Sequence, residues 1–344
     1  MVSQPDLRKI RLNPNYWYPL AQSKELKKGK AHGVFFGGEP IVLVRTESNT
    51  VFALEDRCAH RQMPLNMGVV CGQQIKCGYH AWQYDETGNL TEIPYLSEEA
   101  NPPKCGIRNY PCKEAYEHIW VFPGEARLAE KTAFPELSIC DNPEYQTMYF
   151  FRRVNCHYSF HYENLMDMNH QFLHRRLMGN IRPTFLKSSQ DSDWVEVEYK
   201  FHRGKSHFGA KFLMSGKDKT SKAANSDVMT IRTEYPYQTL QLCGANSDVP
   251  TFRTWVSYVP VDREQKAHHV VGMLTIRKPK IPGLINLLLP FIRYFAEAVF
   301  DEDQMALETE QKAYNLQGAD WNREVFPPII NLRQLLRSKG VSLD

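Results

Sequence analysis

Four residues with metal-binding side chains stand out because each thiol is paired with an imidazole over a short stretch. The pairs are Cys58-Ala-His60 and Cys77-Gly-Tyr-His80, with sixteen residues between His60 and Cys77. Two cysteines and two histidines suit a tetrahedral zinc ion. They also suit a [2Fe–2S] cluster in which two thiolates hold one iron and two imidazoles hold the other. Common zinc patterns keep Cys with Cys and His with His, so the mixed halves favour the iron–sulfur cluster.

A second set of candidate ligands lies in Asn164-Leu-Met-Asp167-Met-Asn-His170-Gln-Phe-Leu-His174. If this segment is helical, His170 and His174 project from one face and can share a metal, with Asp167 on the same side. Two histidines and one carboxylate form the facial triad that binds non-haem Fe(II) and leaves positions open for O₂. The segment therefore predicts a mononuclear iron site, provided that a carboxylate comes from elsewhere.

The acidic run Phe300-Asp301-Glu302-Asp303, or the glutamates that follow it, can supply that carboxylate. A His-x₃-His pair by itself is weak evidence, because two histidines on one helix face are more often ordinary surface or core residues. His157 and His161 form another such pair thirteen residues earlier, which we rank well below because no Asn-x-x-Asp precedes it.

The elements that must position these residues fall into two groups. Residues 15–124 are predicted to form mostly strands, with the Cys–His loops at the tip of a small β domain. A polar, Pro-containing stretch over 125–144 follows, and we place the domain boundary between residues 125 and 126. The remainder, 126–344, is predicted to form an α+β domain, with helix at 156–177, 284–316 and 322–340 and strands at 192–202, 228–243, 252–260 and 267–277.

Composition narrows the class of protein. The chain has 344 residues, 42% hydrophobic and 24% charged, with a formal net charge of +3. This charge is too small to indicate a nucleic-acid partner. The eight cysteines lack the regular spacing of a disulfide framework, and the N-terminus has no apolar signal region. We therefore expect a reducing, cytoplasmic location.

Residues 281–300 approach the length of a membrane span. Polar residues and a proline interrupt them, at Asn286, Pro290, Arg293 and Glu297, and a span needs about 20 mostly uncharged residues. We expect a loop and a buried amphipathic helix rather than a transmembrane helix. A surface that contacts a membrane is the less favoured alternative.

The residues from Cys58 to Gly68 and from Cys77 to Asp85 resemble the Rieske signature of ring-hydroxylating oxygenases. The motif Asn-x-x-Asp-x-x-His-x₃-His, with a downstream Glu-Asp pair, resembles the catalytic domain of Rieske non-haem iron oxygenase α subunits. Together these likenesses cover nearly the whole chain. The chain departs from the family pattern at Gly78 and Ala81, where Pro and Gly are usual, and by having three rather than four residues between the histidines.

The resemblance implies a Rieske [2Fe–2S] domain at residues 1–125 and a helix-grip catalytic domain at 126–344. It implies that the cluster ligands are Cys58, His60, Cys77 and His80. It also implies that mononuclear Fe(II) is held by His170, His174 and Asp303, because Asp303 fits the Glu-Asp pair of the family best, with Asp301 as the fallback. Asp167 and Asn164 become candidate catalytic residues, and Asp167 is expected to bridge His170 to His80 of the partner subunit in a head-to-tail homotrimer.

The function that follows is an oxygenase component that uses O₂ to hydroxylate, or oxidatively demethylate, a small organic molecule. Because no G-x-G-x-x-G fingerprint is present, NAD(P)H electrons are expected to arrive through a separate ferredoxin or flavin reductase. Two alternatives stay open. One is an electron-transfer Rieske protein with a non-catalytic second domain, and the other is a dioxygenase that dihydroxylates an aromatic ring.

Overall fold

The computed structural model describes residues 5–97, 103–179, 182–202, 227–244, 247 and 249–342. The chain divides into two compact units. The β unit consists of Asn13–Glu136 and Val259–Glu264, and the sheet–helix unit consists of Met1–Leu12, Leu137–Tyr258 and Gln265–Asp344. The functional boundary predicted between residues 125 and 126 stays a prediction.

The strands within the described residues are numbered in chain order. They are β1 (Ile10–Arg11), β2 (Tyr18–Gln22), β3 (Lys30–Phe36), β4 (Glu39–Arg45), β5 (Val51–Glu55), β6 (Val69–Cys71), β7 (Gln74–Lys76), β8 (Gln83–Tyr84), β9 (Leu90–Glu92), β10 (Asn109–Tyr110), β11 (Cys112–Ala115), β12 (His118–Val121), β13 (Tyr145–Val154), β14 (Arg182–Gln190), β15 (Trp194–His202), β16 (Asp227–Glu234), β17 (Tyr237–Cys243), β18 (Pro250–Pro260), β19 (His268–Arg277) and β20 (Val341–Ser342). The α-helices are α1 (Tyr158–Met166), α2 (Arg175–Met178), α3 (Leu284–Gln317) and α4 (Pro327–Lys339).

The β unit is built from three small antiparallel sheets, with strand orders β10-β5-β4-β3, β11-β12-β2 and β6-β7-β8-β9. Strands β6 and β7 pair as an antiparallel hairpin between the two Cys–His loops. The first Cys–His loop follows β5 and the second follows β7. Cys58 and Cys77 are both buried in one hydrophobic cluster with Leu54, Ile75 and other residues of these strands. The core of the β unit therefore holds both loops by their cysteines.

The sheet–helix unit is organised around a seven-stranded sheet of order β13-β19-β18-β17-β16-β15-β14. Its strands are long, with ten residue pairs in register between β13 and β19. This antiparallel sheet with helices confirms the predicted α+β class. Two local predictions are wrong: residues 228–243 form two strands joined by a turn, and β14 lies where no strand was expected.

The helix predicted over 156–177 is also wrong as a continuous element. Helix α1 ends at Met166, a 3₁₀ turn covers Met168–Phe172, and the short helix α2 begins at Arg175. Asp167 causes part of this break, because its side chain accepts a hydrogen bond from the Asn169 N–H (2.9 Å) and so caps the new turn. His170 and His174 thus lie on a broken helical segment instead of one straight helix.

Residues 281–300 form the segment before α3 and its first turns. The expectation of a buried helix is correct for one side only: Ile285 and Ile292 are buried against Met148 and Ile276 of the sheet. The opposite side carries exposed apolar side chains. Within the described residues, no helix combines the length and apolar content that crossing a bilayer requires.

Candidate metal centres

The two Cys–His loops repeat one backbone pattern. The Cys58 N–H donates to the Met63 carbonyl (2.9 Å), and the Cys77 N–H donates to the Trp82 carbonyl (2.8 Å). In each loop the N–H four residues after the cysteine donates back to the cysteine carbonyl, at 2.9 Å from Gln62 and 3.1 Å from Ala81. Each half-site is therefore a compact loop that carries one thiol and one imidazole.

The four side chains form two pairs. The thiols of Cys58 and Cys77 are buried in one hydrophobic cluster, and the neighbouring Cys58 contributes to raising the pKa of Cys77, after burial itself. The rings of His60 and His80 are half-buried, with centroids 4.6 Å apart. The buried Nδ1 of His60 has no hydrogen-bond partner among the described residues. Sulfur paired with sulfur and nitrogen paired with nitrogen fits a two-iron cluster, because each iron takes one pair.

Two aromatic residues complete the surroundings of these side chains. The His60 ring stacks on Trp82, with centroids 4.7 Å apart and an interplanar angle of 4°. The Tyr84 hydroxyl accepts the Ala59 N–H (3.0 Å), so its own proton is free to point at the Cys58 sulfur, 3.2 Å away. Sequence reasoning gave Tyr84 no role, although the residue lies only seven positions after Cys77. A hydrogen bond donated to a ligand sulfur raises the reduction potential of an iron–sulfur cluster.

The departures from the family pattern have different physical consequences. A Cβ on Gly78 would lie 2.8 Å from the Met67 carbonyl oxygen, so this backbone leaves no room for a side chain there. Ala81 has a φ of +60°, in the left-handed region that glycine adopts without strain. Gly78 is therefore adapted to its position, whereas Ala81 holds a strained conformation.

The sheet–helix unit brings His170, His174 and Asp303 together. Their ligand atoms all lie within 4.8 Å of one another. The Oδ1 of Asp303 is 3.3 Å from the Nε2 of His174 and 3.7 Å from the Nε2 of His170. The break after α1 explains how a three-residue spacing suffices, because His170 ends up in the 3₁₀ turn and His174 caps α2. The broken backbone, rather than a straight helix face, sets the two rings 5.1 Å apart at 84°.

Hydrogen bonds from neighbouring residues orient these ligands. Asn164 donates from Nδ2 to Asp303 Oδ1 (3.1 Å), and Glu302 accepts from His174 Nδ1 (2.8 Å). Because Nδ1 then carries the proton of the neutral imidazole, the Nε2 of His174 is left to bind a metal. Burial by itself would lower the pKa of His174, but Asp303 and then Glu302 outweigh it and raise this pKa. The pocket thus favours positive charge, as a cation site must. Sequence reasoning missed the role of Glu302, which directly precedes Asp303.

Asp167 contacts His170 through its backbone. The Nδ1 of His170 hydrogen-bonds to the Asp167 main-chain oxygen at 2.5 Å, and not to the carboxylate as we expected. One carboxylate oxygen accepts from Asn169 at both N (2.9 Å) and Nδ2 (2.6 Å). The other, Oδ2, makes no hydrogen bond within the described part of the chain. It is therefore available to a donor from outside this chain.

The competing pair His157 and His161 does not converge on one site. His157 lies against Ser159 (2.7 Å) and the Ile10 carbonyl (3.1 Å), whereas His161 Nδ1 lies 2.8 Å from His268 Nε2. Because His268 Nδ1 faces the Cys156 carbonyl (2.8 Å), that nitrogen carries the proton. His268 Nε2 then accepts from His161.

Burial lowers the pKa of His268 to about 4 and that of His161 well below its ordinary value, so both rings are neutral at neutral pH. The Cys156 thiol lies beside them, and burial raises its pKa. A neutral hydrogen-bonded chain explains this cluster, which sequence reasoning missed because His268 lies far along the chain.

The fallback carboxylate, Asp301, and the nearby Glu308 both lie away from the two histidines. Asp301 pairs with Arg152 (2.5 Å) and is exposed. Glu308 accepts from the Asn155 N–H (3.0 Å) and Nδ2 (3.1 Å). Asp303 is the carboxylate that the described structure places against both histidines.

A cavity of about 750 Å³ opens beside this centre, with Asn164, Asp167 and His170 in its wall.

Two family models match the chain. A Rieske [2Fe-2S] domain model matches residues 16–111. A model of the vanillate O-demethylase oxygenase C-terminal domain matches residues 154–328, about half of the chain.

Known proteins are similar over most of the length. A 4beta-methylsterol monooxygenase of Methylococcus capsulatus is 29% identical over 345 residues, covering 97% of this chain and 90% of that protein. The methylxanthine N3-demethylase NdmB of Pseudomonas putida is 28% identical over 313 residues, covering 86% and 81%. The crystal structure of dicamba monooxygenase bound to dicamba has a TM-score of 0.76 at 21% identity, covering 96% and 97%. At 21% identity, the similarity to dicamba monooxygenase shows that the two proteins share a fold.

Proposed function

Because the chain belongs to the Rieske non-haem iron oxygenases, as a terminal oxygenase (α) subunit, we propose a ligand set for each of its metal centres. The [2Fe–2S] cluster is held by Cys58, His60, Cys77 and His80. The mononuclear Fe(II) is held by His170, His174 and Asp303. The paired thiols and imidazoles support the first set, and the convergence of two histidines with one carboxylate supports the second.

The chain is an oxygenase that uses O₂ with electrons supplied by a separate reductase or ferredoxin. When bound, the cluster delivers electrons singly and the mononuclear iron supplies O₂ activation. Hydroxylation of a C–H bond balances with one O₂, two electrons and two protons, giving one alcohol and one water. If the hydroxylated carbon is bound to oxygen or nitrogen, that bond then breaks and a methyl group leaves as formaldehyde.

One observation carries the catalytic assignment: the ligand atoms of His170, His174 and Asp303 lie within 4.8 Å of one another. Each of these side chains also has a hydrogen bond to a neighbouring residue that orients it. An electron-transfer protein that had lost catalysis would not need Glu302 to hold His174 or Asn164 to hold Asp303. The presence of both orienting hydrogen bonds argues against the electron-transfer alternative. Demethylases and monooxygenases among the relatives likewise favour monooxygenation over ring dihydroxylation.

Asp167 is proposed to connect the two centres across a subunit boundary. Its backbone carbonyl orients His170, while its free Oδ2 can accept a hydrogen bond from His80 of the partner subunit. His80 is half-buried and follows the exposed Tyr79, so its edge is accessible from outside the chain. A contact between two different surfaces forms a ring when its rotation closes, and we propose that three copies close such a ring as a homotrimer.

The substrate is proposed to be a small organic molecule oxidised at a methyl group. The relatives named above support this class, since one acts on a 4β-methylsterol and another is an N3-demethylase of methylxanthines.

None of the eight cysteines forms a disulfide, which supports a reducing, cytoplasmic location. We also propose that the functional domains meet between residues 125 and 126.

The test is turnover under ¹⁸O₂ with NADH and a surrogate ferredoxin–reductase pair, over a panel of methyl-bearing sterols, aryl ethers and N-methyl heterocycles. The proposal expects one ¹⁸O atom in an alcohol product, or one formaldehyde for each methyl removed. A cis-diol that carries two ¹⁸O atoms would contradict monooxygenation. NADH oxidation without any labelled product or formaldehyde across the panel would contradict the methyl-oxidation proposal.

A further inference from the structure

The first turns of α3 carry two apolar faces instead of one. Ile285 and Ile292 face the sheet and are buried. Leu287, Phe291 and Tyr294, which we name the apolar stripe, are 69%, 68% and 75% exposed. At about 100° per residue the two faces lie roughly 140° apart around the helix. A helix on the surface of a globular protein usually turns polar residues to solvent on this side, so the stripe needs another explanation.

The segment just before α3 adds an exposed apolar residue and positive charge. Ile281 is 63% exposed, and the basic residues of this region, Arg277, Lys278, Lys280 and Arg293, are all exposed. No Asp or Glu occurs from residue 277 to residue 296. Lys278 donates to the Pro143 carbonyl (2.9 Å) and Arg277 lies 3.6 Å from Glu144. Lys280 and Arg293 make no ion pair within the described residues.

Exposed Leu, Phe, Tyr and Ile beside Lys and Arg, in a stretch of twenty residues without Asp or Glu, are typical of a helix that lies in the interface of an anionic membrane. A symmetric contact between two copies fits less well, because it would place this cationic segment against itself. Burial in the fold is also excluded, since α3 already packs on the sheet with its other face. The charge and the apolar side chains together fit an anionic phospholipid surface.

We propose that the apolar stripe, with Ile281, Lys280 and Arg293, docks the protein reversibly on an anionic bilayer. The apolar side chains enter the level of the headgroups while the basic residues contact lipid phosphates. The helix lies in the plane of the interface and does not cross it. This inference does not depend on the proposed reaction, because the stripe, Lys280 and Arg293 are not among the proposed metal ligands.

The test is co-sedimentation of the full chain with vesicles of phosphatidylcholine, with and without about one third phosphatidylglycerol. Wild type should bind the anionic vesicles, and bind less in high salt. Leu287→Gln with Phe291→Gln should reduce partitioning by roughly tenfold or more. Lys280→Glu with Arg293→Glu should also reduce it by at least about tenfold, since each basic residue contributes about fivefold at such a surface.

Leu316→Gln is the matched control, because it is the same change in the same helix at a position that is 89% exposed. It should bind like wild type. Thermal melts of all variants should coincide, since the changed side chains lie mostly in solvent. Absence of wild-type binding to anionic vesicles, or unchanged binding by both double variants, would overturn the proposal. A change of oligomeric state in the Leu287/Phe291 variant without vesicles would instead assign the stripe to a contact between copies, and would also overturn it.

Discussion

The two proposed metal centres of this chain are built in opposite ways. The cluster site comes from two loops within residues 58–82 that share one hydrogen-bond pattern and both begin with a buried cysteine. The mononuclear site joins a broken helical segment to Asp303, more than one hundred residues further along the chain. A locally built site can be identified from spacing, whereas an assembled site depends on how the backbone breaks and on which neighbours orient its ligands.

The largest effect should come from removing an assembled ligand. His174→Ala should abolish turnover and remove the mononuclear iron, because only His170 and Asp303 remain. The cluster should be retained, since its ligands lie in the β unit. Iron analysis and the visible spectrum separate the two outcomes. Wild-type iron content in this variant would show that His174 is not a ligand.

Asp167→Asn should reduce product formation by roughly 100-fold or more while both metals stay bound. The amide oxygen can still cap the Asn169 N–H, so the turn should survive, but the amide nitrogen cannot accept a hydrogen bond from a partner imidazole. The measurement is the rate at which a prereduced cluster is reoxidised when substrate and O₂ are present. Reoxidation and product formation at wild-type rates would remove Asp167 from the electron path.

Glu302→Gln should weaken mononuclear iron binding by roughly 10- to 100-fold without emptying the site. The variant loses the negative charge beside His174 Nδ1 but keeps a side-chain oxygen that can accept a hydrogen bond from this nitrogen. Asp301→Asn is the matched control, because Asp301 pairs with Arg152 and lies away from the ligands. Titration of the metal-free protein with Fe(II) measures both. Equal affinities in the two variants would show that the Glu302 contact does not support the site.

Tyr84→Phe should lower the cluster reduction potential by about 40–60 mV, the equivalent of about one hydrogen bond in a one-electron couple. Tyr110→Phe is a suitable control, since Tyr110 is also buried in the β unit but donates to Glu39 (2.7 Å). A redox titration followed by circular dichroism reports both potentials. A shift of the same size in the control would show that the effect is not specific to the Cys58 sulfur.

The smallest effect concerns backbone strain in the second cluster loop. Ala81→Gly should stabilise the β unit by about 1 kcal/mol, because glycine adopts the φ of +60° without a Cβ penalty. Ala31→Gly in β3 should instead destabilise it by about 0.5–1 kcal/mol. Urea unfolding followed by the cluster absorbance compares the two variants. Destabilisation by both would mean that Ala81 is not strained.

The sequence could indicate the proposed cluster ligands because Cys58, His60, Cys77 and His80 lie close together along the chain and the strands around them alternate clearly. It also indicated Asp303, but only through a family likeness, since no local pattern connects residues so far apart. The roles of Glu302 and Tyr84 depend on tertiary hydrogen bonds that spacing does not reveal. The break after Met166 was missed because apolar periodicity continues through it, while the side-chain cap of Asp167 ends the helix.

The exposed side of α3 is a second feature that the sequence alone could not predict. Its apolar residues predicted burial, and the fold buries Ile285 and Ile292 while leaving Phe291 in solvent. Apolar periodicity indicates that a face is covered but not what covers it.

The most direct test of the two-centre account is the iron content of the purified chain, combined with electron paramagnetic resonance after reduction and after addition of nitric oxide. The account predicts about three iron atoms per chain. A reduced-cluster signal should appear, together with a separate nitric oxide signal that is absent from His174→Ala. Two iron atoms per chain and no nitric oxide signal would contradict the mononuclear centre, and a zinc-only protein without a visible spectrum would contradict both centres.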